Sequence, residues 1–68
     1  MKYVYIAIFS TFDEHRIDGV YSTLEAAIAD NPLPKDGEWE DTAEGGKCFS
    51  TWNEWRSIER YEVHEIKA

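Results

Sequence analysis

Residues 3–9 have the sequence Tyr-Val-Tyr-Ile-Ala-Ile-Phe, which contains no charged residue and is dominated by aromatic and β-branched side chains. In an extended strand, successive side chains point to opposite faces, so this segment presents two apolar faces at once. That pattern is typical of a central strand that is covered on both sides. The chain is therefore predicted to fold around a central β-strand at residues 3–9.

The chain has 68 residues, which is enough for one domain, and we predict a single domain spanning residues 1–68. Three Trp, four Tyr and three Phe supply the large side chains that a small core needs. Cys48 is the one cysteine, so no internal disulfide is expected and a reducing cytoplasm is the predicted location. No segment approaches the roughly 18 apolar residues that a membrane-spanning helix requires.

Residues 22–25, Ser-Thr-Leu-Glu, match a helix-capping box in which Ser22 is the N-cap residue. Asn31-Pro32 should end the helix, because the residue before proline is pushed out of the helical region. These features predict a helix over about residues 23–30. Its apolar face would consist of Leu24, Ala27 and Ile28.

The other predicted elements are extended segments and turns. In chain order they are a turn at Asp18-Gly19, a short strand or helix lead-in at Val20-Tyr21, a short strand at residues 38–42 with Trp39 inward, a turn at 44–47, a strand at 48–55 and a last strand at 58–66. In the last strand, Tyr61 and Val63 are out of phase with Ile58 and Ile66, which indicates a bulge or burial on two faces. The predicted fold class is α+β, with one antiparallel sheet of three to five strands and one short helix on one face.

Three segments carry a resemblance to known proteins: the tyrosine-rich start at residues 3–6, residues 17–27 with Gly-Val-Tyr-Ser leading into the helix, and residues 61–65 with a Tyr-x-Val pattern. They resemble small domains of unknown function from bacteria and their phages, and the similarity covers about half of the chain. The resemblance implies a bacterial cell or a phage-infected cell as the setting. It carries no catalytic residues.

The sequence contains few combinations of residues that could perform catalysis. Asp13-Glu14-His15 with Asp18 could be imagined as a metal site, but neighbouring loop residues rarely converge on one ion. Cys48 could be paired with His15 or His64 as nucleophile and base, yet nothing supplies a third, orienting group. We therefore predict that the protein is not an enzyme and uses no metal or other cofactor.

Net charge is −7, and the acidity is concentrated in the middle of the chain. Residues 13–44 hold ten acidic and two basic residues. A field of this sign opposes direct binding to nucleic acid or to an anionic membrane. It favours a protein partner that has a basic surface.

The acidic run from residue 36 to residue 44 has two interpretations. It could be a solubilising loop and edge strand, where charges also prevent sheets from aggregating. It could also compete for a basic, nucleic-acid-binding site, although duplex DNA presents about 18 charges over the ~30 Å that nine extended residues span. These carboxylates could thus imitate only part of one strand. They are Asp36, Glu38, Glu40, Asp41 and Glu44.

The three tryptophans are interpreted in two ways, as core side chains or as an anchor for a partner. Core packing is the interpretation for Trp39 and Trp52, since a small core has room for about two such side chains. Trp55 with Arg56 is predicted to form an aromatic anchor for a partner, because Trp and Arg are enriched at interface hot spots.

Two functional hypotheses follow from these features. The first is a non-catalytic inhibitor, encoded by a phage, that occludes a basic site on a bacterial defence complex (of the anti-CRISPR or anti-restriction type) or on another nucleic-acid-handling complex. The alternative is a small structural or accessory subunit that self-associates, as a homodimer for example, through an open edge of its sheet.

Overall fold

The computed structural model describes residues 2–63, and within them it has five strands and one helix. The elements are β1 (Lys2–Thr11), β2 (His15–Tyr21), α1 (Leu24–Asp30), β3 (Glu40–Asp41), β4 (Lys47–Ser50) and β5 (Glu54–Val63). The strands form one sheet in the order β2-β1-β5-β4-β3, and every neighbouring pair is antiparallel. The predicted α+β class, with a single antiparallel sheet and one short helix, is confirmed.

The sheet is organised around the two longest strands. β1 and β5 each have ten residues and pair along their whole length, from Lys2 opposite Val63 to Thr11 opposite Glu54. β2 pairs with the other side of β1. The predicted strand at residues 3–9 therefore exists, is slightly longer than expected, and lies inside the sheet.

β2 replaces the turn that was predicted at Asp18-Gly19. The chain reverses at residues 12–14, where the Thr11 amide donates to the Glu14 carbonyl at 2.7 Å. Asp18 is the extra residue of a bulge between two paired positions of β2. A Cβ on Gly19 would lie 2.6 Å from Tyr21 Oη, so this glycine accommodates the tyrosine side chain within a strand.

α1 begins one residue later than predicted. The N-cap residue is Thr23, whose side chain accepts a hydrogen bond from the Ala26 amide at 3.1 Å. The prediction of Ser22 as N-cap is wrong, because the later start places Glu25 at the second helical position, where a capping box is not completed. The helix ends at Asp30 as predicted, with Asn31 as its C-cap residue.

The predicted strand at residues 48–55 is in fact the end of β4 and the start of β5. A turn at 51–53 separates them, closed by the Thr51 amide donating to the Glu54 carbonyl at 2.9 Å. The register between β1 and β5 is regular, so no bulge occurs in β5. Ile58 and Tyr61 differ in phase because they face opposite sides of the sheet. Ile66 lies outside the described residues.

The core lies on one side of the sheet, under α1. Ala7, Ala27 and Ile58 are buried. Partly buried side chains from the sheet, the helix and the following loop pack against them: Tyr5, Tyr21, Leu24, Ile28 and Trp39. The inward position predicted for Trp39 is confirmed. A helix of seven residues has little stability of its own, so this packing holds it in place.

The other side of the sheet has no layer over it among residues 2–63. Val4, Ile6 and Ile8 alternate along β1 with the buried Ala7, and they therefore point away from α1. The prediction that β1 is covered on both sides is wrong for the described chain, because its one helix covers one side.

Candidate protein-binding surfaces

The loop before β3 places the first acidic residues. A turn forms at Pro34–Gly37, where the Gly37 amide donates to the Pro34 carbonyl at 2.9 Å. Asp36 has a φ of 70°, a left-handed conformation that aspartate adopts more readily than most residues. This turn directs the chain past β4 and brings residues 36 and 38 to the same edge as Glu40 in β3.

Asp36, Glu38 and Glu40 line one open concavity with a volume of about 280 Å³. Its other lining residues come from β4: Cys48, Phe49 and Ser50. No ion pair within residues 2–63 involves any of these three carboxylates. We call this group (Asp36, Glu38 and Glu40) the acidic edge.

The other two predicted acidic residues do not belong to the acidic edge. Asp41 forms an ion pair with Lys47, its direct neighbour across β3 and β4, so its charge is locally balanced. Glu44 lines a separate cavity of about 360 Å³ along β5. The structure therefore brings together three of the five carboxylates.

The arginines are engaged within the chain. Arg16 pairs with Glu14 and with Asp18, and the hydrogen bond that Arg16 Nε donates to the Asp18 carboxylate is the main cause that raises the pKa of Arg16. The Arg60 guanidinium lies 4.4 Å from the centre of the Tyr3 ring, a cation–π contact. The ion pairs of arginine within residues 2–63 are with Glu14, Asp18 and Glu54, and none of them involves the acidic edge.

Trp55 and Arg56 do not form a joint anchor, since neighbouring residues of a strand point to opposite sides of the sheet. Trp55 is 43% exposed and meets Phe12 edge-to-face, with ring centres 5.3 Å apart. Arg56 lies on the side of α1, 5.3 Å from the centre of the Phe9 ring, and donates to the Pro32 carbonyl at 3.3 Å. Trp55 is the more exposed member of the pair.

Trp52 is 85% exposed, so its predicted core position is wrong. The cause is the turn at residues 51–53, which carries the side chain outside the sheet. Among the three tryptophans, Trp39 alone packs against the core.

A second surface was not identified from the sequence. We define the open face as the side of β2, β1 and β5 that points away from α1. Ile17 and Val20 on β2 pair with Ile8 and Ile6 on β1, and they are 62% and 60% exposed. β5 adds further apolar side chains on this side of the sheet: Trp55, Tyr61 and Val63.

The signal for the open face was present in β1, whose two faces are both apolar. The sequence did not indicate the contribution of β2 to this face, because Ile17 directly precedes the predicted turn and was not assigned to a strand.

The residues considered for catalysis are separated or otherwise engaged. His15 Nδ1 and Ser10 Oγ are hydrogen-bonded at 2.7 Å, and Glu14 and Asp18 bind Arg16. Cys48 on β4 and His15 on β2 are three strand spacings apart, about 14 Å. His64 lies outside the described residues. Within residues 2–63, no group of three histidine, cysteine or carboxylate side chains could hold a metal ion.

Comparison with protein-family models, with curated proteins and with solved structures finds no match for this chain. In the described part of the chain, α1 falls well short of the length and apolar character of a membrane-spanning helix.

Proposed function

We propose that the protein is a non-catalytic binding domain whose acidic edge covers a basic site on a nucleic-acid-handling partner protein. The biological setting that we propose is inhibition of a bacterial defence complex, of the anti-CRISPR or anti-restriction type, by a phage protein. The observation that supports the proposal most directly is the convergence of Asp36, Glu38 and Glu40 on one concavity without an ion pair in residues 2–63.

The chemistry of the concavity suits an arginine side chain from the partner. A guanidinium presents five donors that match carboxylate oxygens, and Phe49 adds an aromatic surface beside them. Charge-assisted hydrogen bonds are about twice as strong as neutral ones, which makes this contact the centre of the proposed interface.

The net charge of −7 would act at longer range. Complementary charges raise the association rate and make it depend on ionic strength, because salt screens the attraction between exposed groups. The proposed mechanism is therefore rapid electrostatic docking that physically blocks the site where the partner binds nucleic acid.

The test is a capture experiment with tagged protein in bacterial lysate at low and at high salt. A double variant, Glu38→Lys with Glu40→Lys, is compared with a control, Asp13→Lys with Glu62→Lys. Each replaces two acidic residues by lysine and changes the net charge by the same four units, from −7 to −3. Asp13 and Glu62 are exposed and lie outside the acidic edge.

We expect the wild type and the control to capture the same nucleic-acid-binding protein at low salt, and added duplex DNA or RNA to displace it. The acidic-edge variant should lose capture by tenfold or more while keeping its circular dichroism spectrum. Equal capture by the two double variants would show that only net charge matters, and would refute a specific acidic edge.

Self-association through a sheet edge stays the second candidate, and one observation favours it. β4 pairs with β5 only as far as Ile58, so the outer edge of residues 59–63 has no partner strand among the described residues. Strand addition there should slow amide exchange at residues 59–63 as protein concentration rises. Exchange that is independent of concentration would contradict it.

A further inference from the structure

The open face has an aliphatic centre that spans two strands. Val4, Ile6 and Ile8 of β1 lie beside Ile17 and Val20 of β2, and the two β2 side chains are each more than half exposed. Large continuous apolar patches are rare on monomeric proteins and mark interaction sites. The residues that carry this patch take no part in the acidic edge.

The dimensions of the face fit a small protein interface. Three strands of up to ten residues measure about 33 Å by 14 Å, a flat footprint of about 450 Å² per copy. Two such footprints give about 900 Å², slightly below the ~1,000 Å² that a stable specific interface should exceed, so a weak dimer is expected. Protruding side chains at the ends, such as Phe12 and Trp55, enlarge the accessible area beyond the flat value.

The chemistry of the face selects its occupant. A basic surface of the kind proposed for the acidic edge would leave its charges unpaired against the isoleucine and valine side chains of β1 and β2, which is costly. The face also carries one carboxylate, Glu59 of β5, which lies opposite Ile6 and accepts a hydrogen bond from the Tyr61 hydroxyl at 3.4 Å. The aliphatic centre instead requires a mainly apolar β surface of matching size, and the open face of another copy is such a surface. A two-fold axis through the face brings the same residues of both copies together.

We propose that two copies of this chain pack their open faces against each other to form a β-sandwich dimer. The two sheets would lie about 10 Å apart with their strands within about 30° of each other. β1 would then be covered on both sides, by α1 of its own chain and by the sheet of the second copy. The proposal uses the side chains of β1, β2 and β5 and none of the acidic edge, although Glu40, opposite Cys48, points to the same side of the sheet.

The first test is sedimentation equilibrium of the wild-type protein from about 1 µM to about 1 mM, the range in which an interface of this size should dissociate on dilution. We expect the mass to rise from 7.9 kDa toward twice that value. A mass of 7.9 kDa across the whole range would overturn the proposal.

A pair of double variants identifies the surface. Ile17→Lys with Val20→Lys places charges in the aliphatic centre, whereas the control, Ala26→Lys with Ala29→Lys, places them on exposed positions of α1. Both change the net charge from −7 by two units to −5, which lowers the repulsion between copies. The dissociation constant of the dimer should be at least tenfold higher for the open-face variant than for the wild type. The control should remain a dimer.

A dimer that persists in a folded open-face variant would refute the proposal. If that variant does not fold, dilution of the wild type followed by methyl NMR decides the question. The methyl signals of Ile6, Ile17 and Val20 should shift on dilution, while those of Ile28 and Ile58 stay fixed. Shifts confined to the second group would overturn the proposal.

Salt separates this proposal from the proposed function. Added salt screens the repulsion between two copies that each carry −7, so the dimer should become tighter. Capture of a basic partner by the acidic edge should become weaker under the same conditions. Each proposal can therefore fail without the other.

Discussion

The two faces of the sheet are made by the same strands but differ in what they contribute to the folded chain. On the face under α1, Ala7 and Ile58 are buried together with Ala27 of the helix. On the open face, Ile17 and Val20 remain mostly exposed although they are equally apolar. The first face supplies the stability of the single chain, and the second is available for association. Apolar character therefore does not indicate which face forms the core.

The largest expected effect is on the covered face, at Ile58. Ile58→Ala removes the one large side chain that is fully buried among the described residues, and should cost about 2–5 kcal/mol of unfolding free energy. Urea denaturation at low protein concentration measures this change. For a domain whose total stability is about 5–15 kcal/mol, this loss is a large fraction of the free energy of unfolding.

The matched substitution on the open face is Ile17→Ala, which removes the same atoms from a side chain that is 62% exposed. We expect a loss within about 0.5 kcal/mol in the monomer. Similar losses at the two positions would show that the faces do not differ as described, and that the open face is covered in the isolated chain.

A smaller effect on the covered face should come from the N-cap of α1. Thr23→Ala removes the hydrogen bond to the Ala26 amide and should cost about 1 kcal/mol, since one of the free helix amides loses its acceptor. Ser22→Ala is the control and should leave the thermal midpoint nearly unchanged. The opposite order of effects would restore Ser22 as the cap.

The smallest effect concerns Tyr21, whose hydroxyl ties β2 to the end of α1. Its Oη donates to the Asp30 carboxylate at 2.5 Å, and this hydrogen bond raises the pKa of Tyr21 above its ordinary value. The protonated phenol is thus favoured in the folded state. Its stabilisation is complete below the ordinary tyrosine pKa of about 10 and is lost as pH rises through the folded-state pKa.

Ultraviolet absorbance titration checks the prediction for Tyr21. One tyrosine should ionise at a higher pH than the others, and that late step should be absent from Tyr21→Phe. At neutral pH the variant should have a slightly lower thermal stability than the wild type. This difference should disappear at a pH above the folded-state pKa of Tyr21. If all tyrosines of the wild type ionise together, the hydrogen bond to Asp30 does not hold in solution.

The parts of the fold that could be predicted are those fixed by local pattern. The continuous run of aromatic and β-branched residues at 3–9 predicted β1, and Asn31-Pro32 predicted the end of α1. β2 was missed because Asp18-Gly19 is a common turn pair, whereas here Asp18 forms a bulge and Gly19 lies beside Tyr21. The turn at residues 51–53 was missed because alternation continues across it.

The candidate surfaces show the same limit. The sequence identified all three carboxylates of the acidic edge, because charge is visible without a structure. Asp41 does not belong to the acidic edge because the pairing of β3 with β4 places it opposite Lys47. That pairing is a property of the folded sheet and could not be predicted from the sequence. The side of the sheet that α1 covers also depends on three-dimensional packing, so the open face could not be located from the sequence.

The bulge at Asp18 affects how many copies of the chain can associate. It interrupts the regular hydrogen bonding of β2, one outer strand, while β3, the other, has only two residues, both acidic. Edges of that kind discourage strand-by-strand growth at the two outer strands, so residues 59–63 of β5 are the remaining edge for strand addition in the described chain. Face-to-face packing, in contrast, buries the open face of both copies in one two-fold interface, and leaves no second copy of that surface for further growth. We therefore expect this protein to form closed pairs and to resist growth into filaments, even at high concentration.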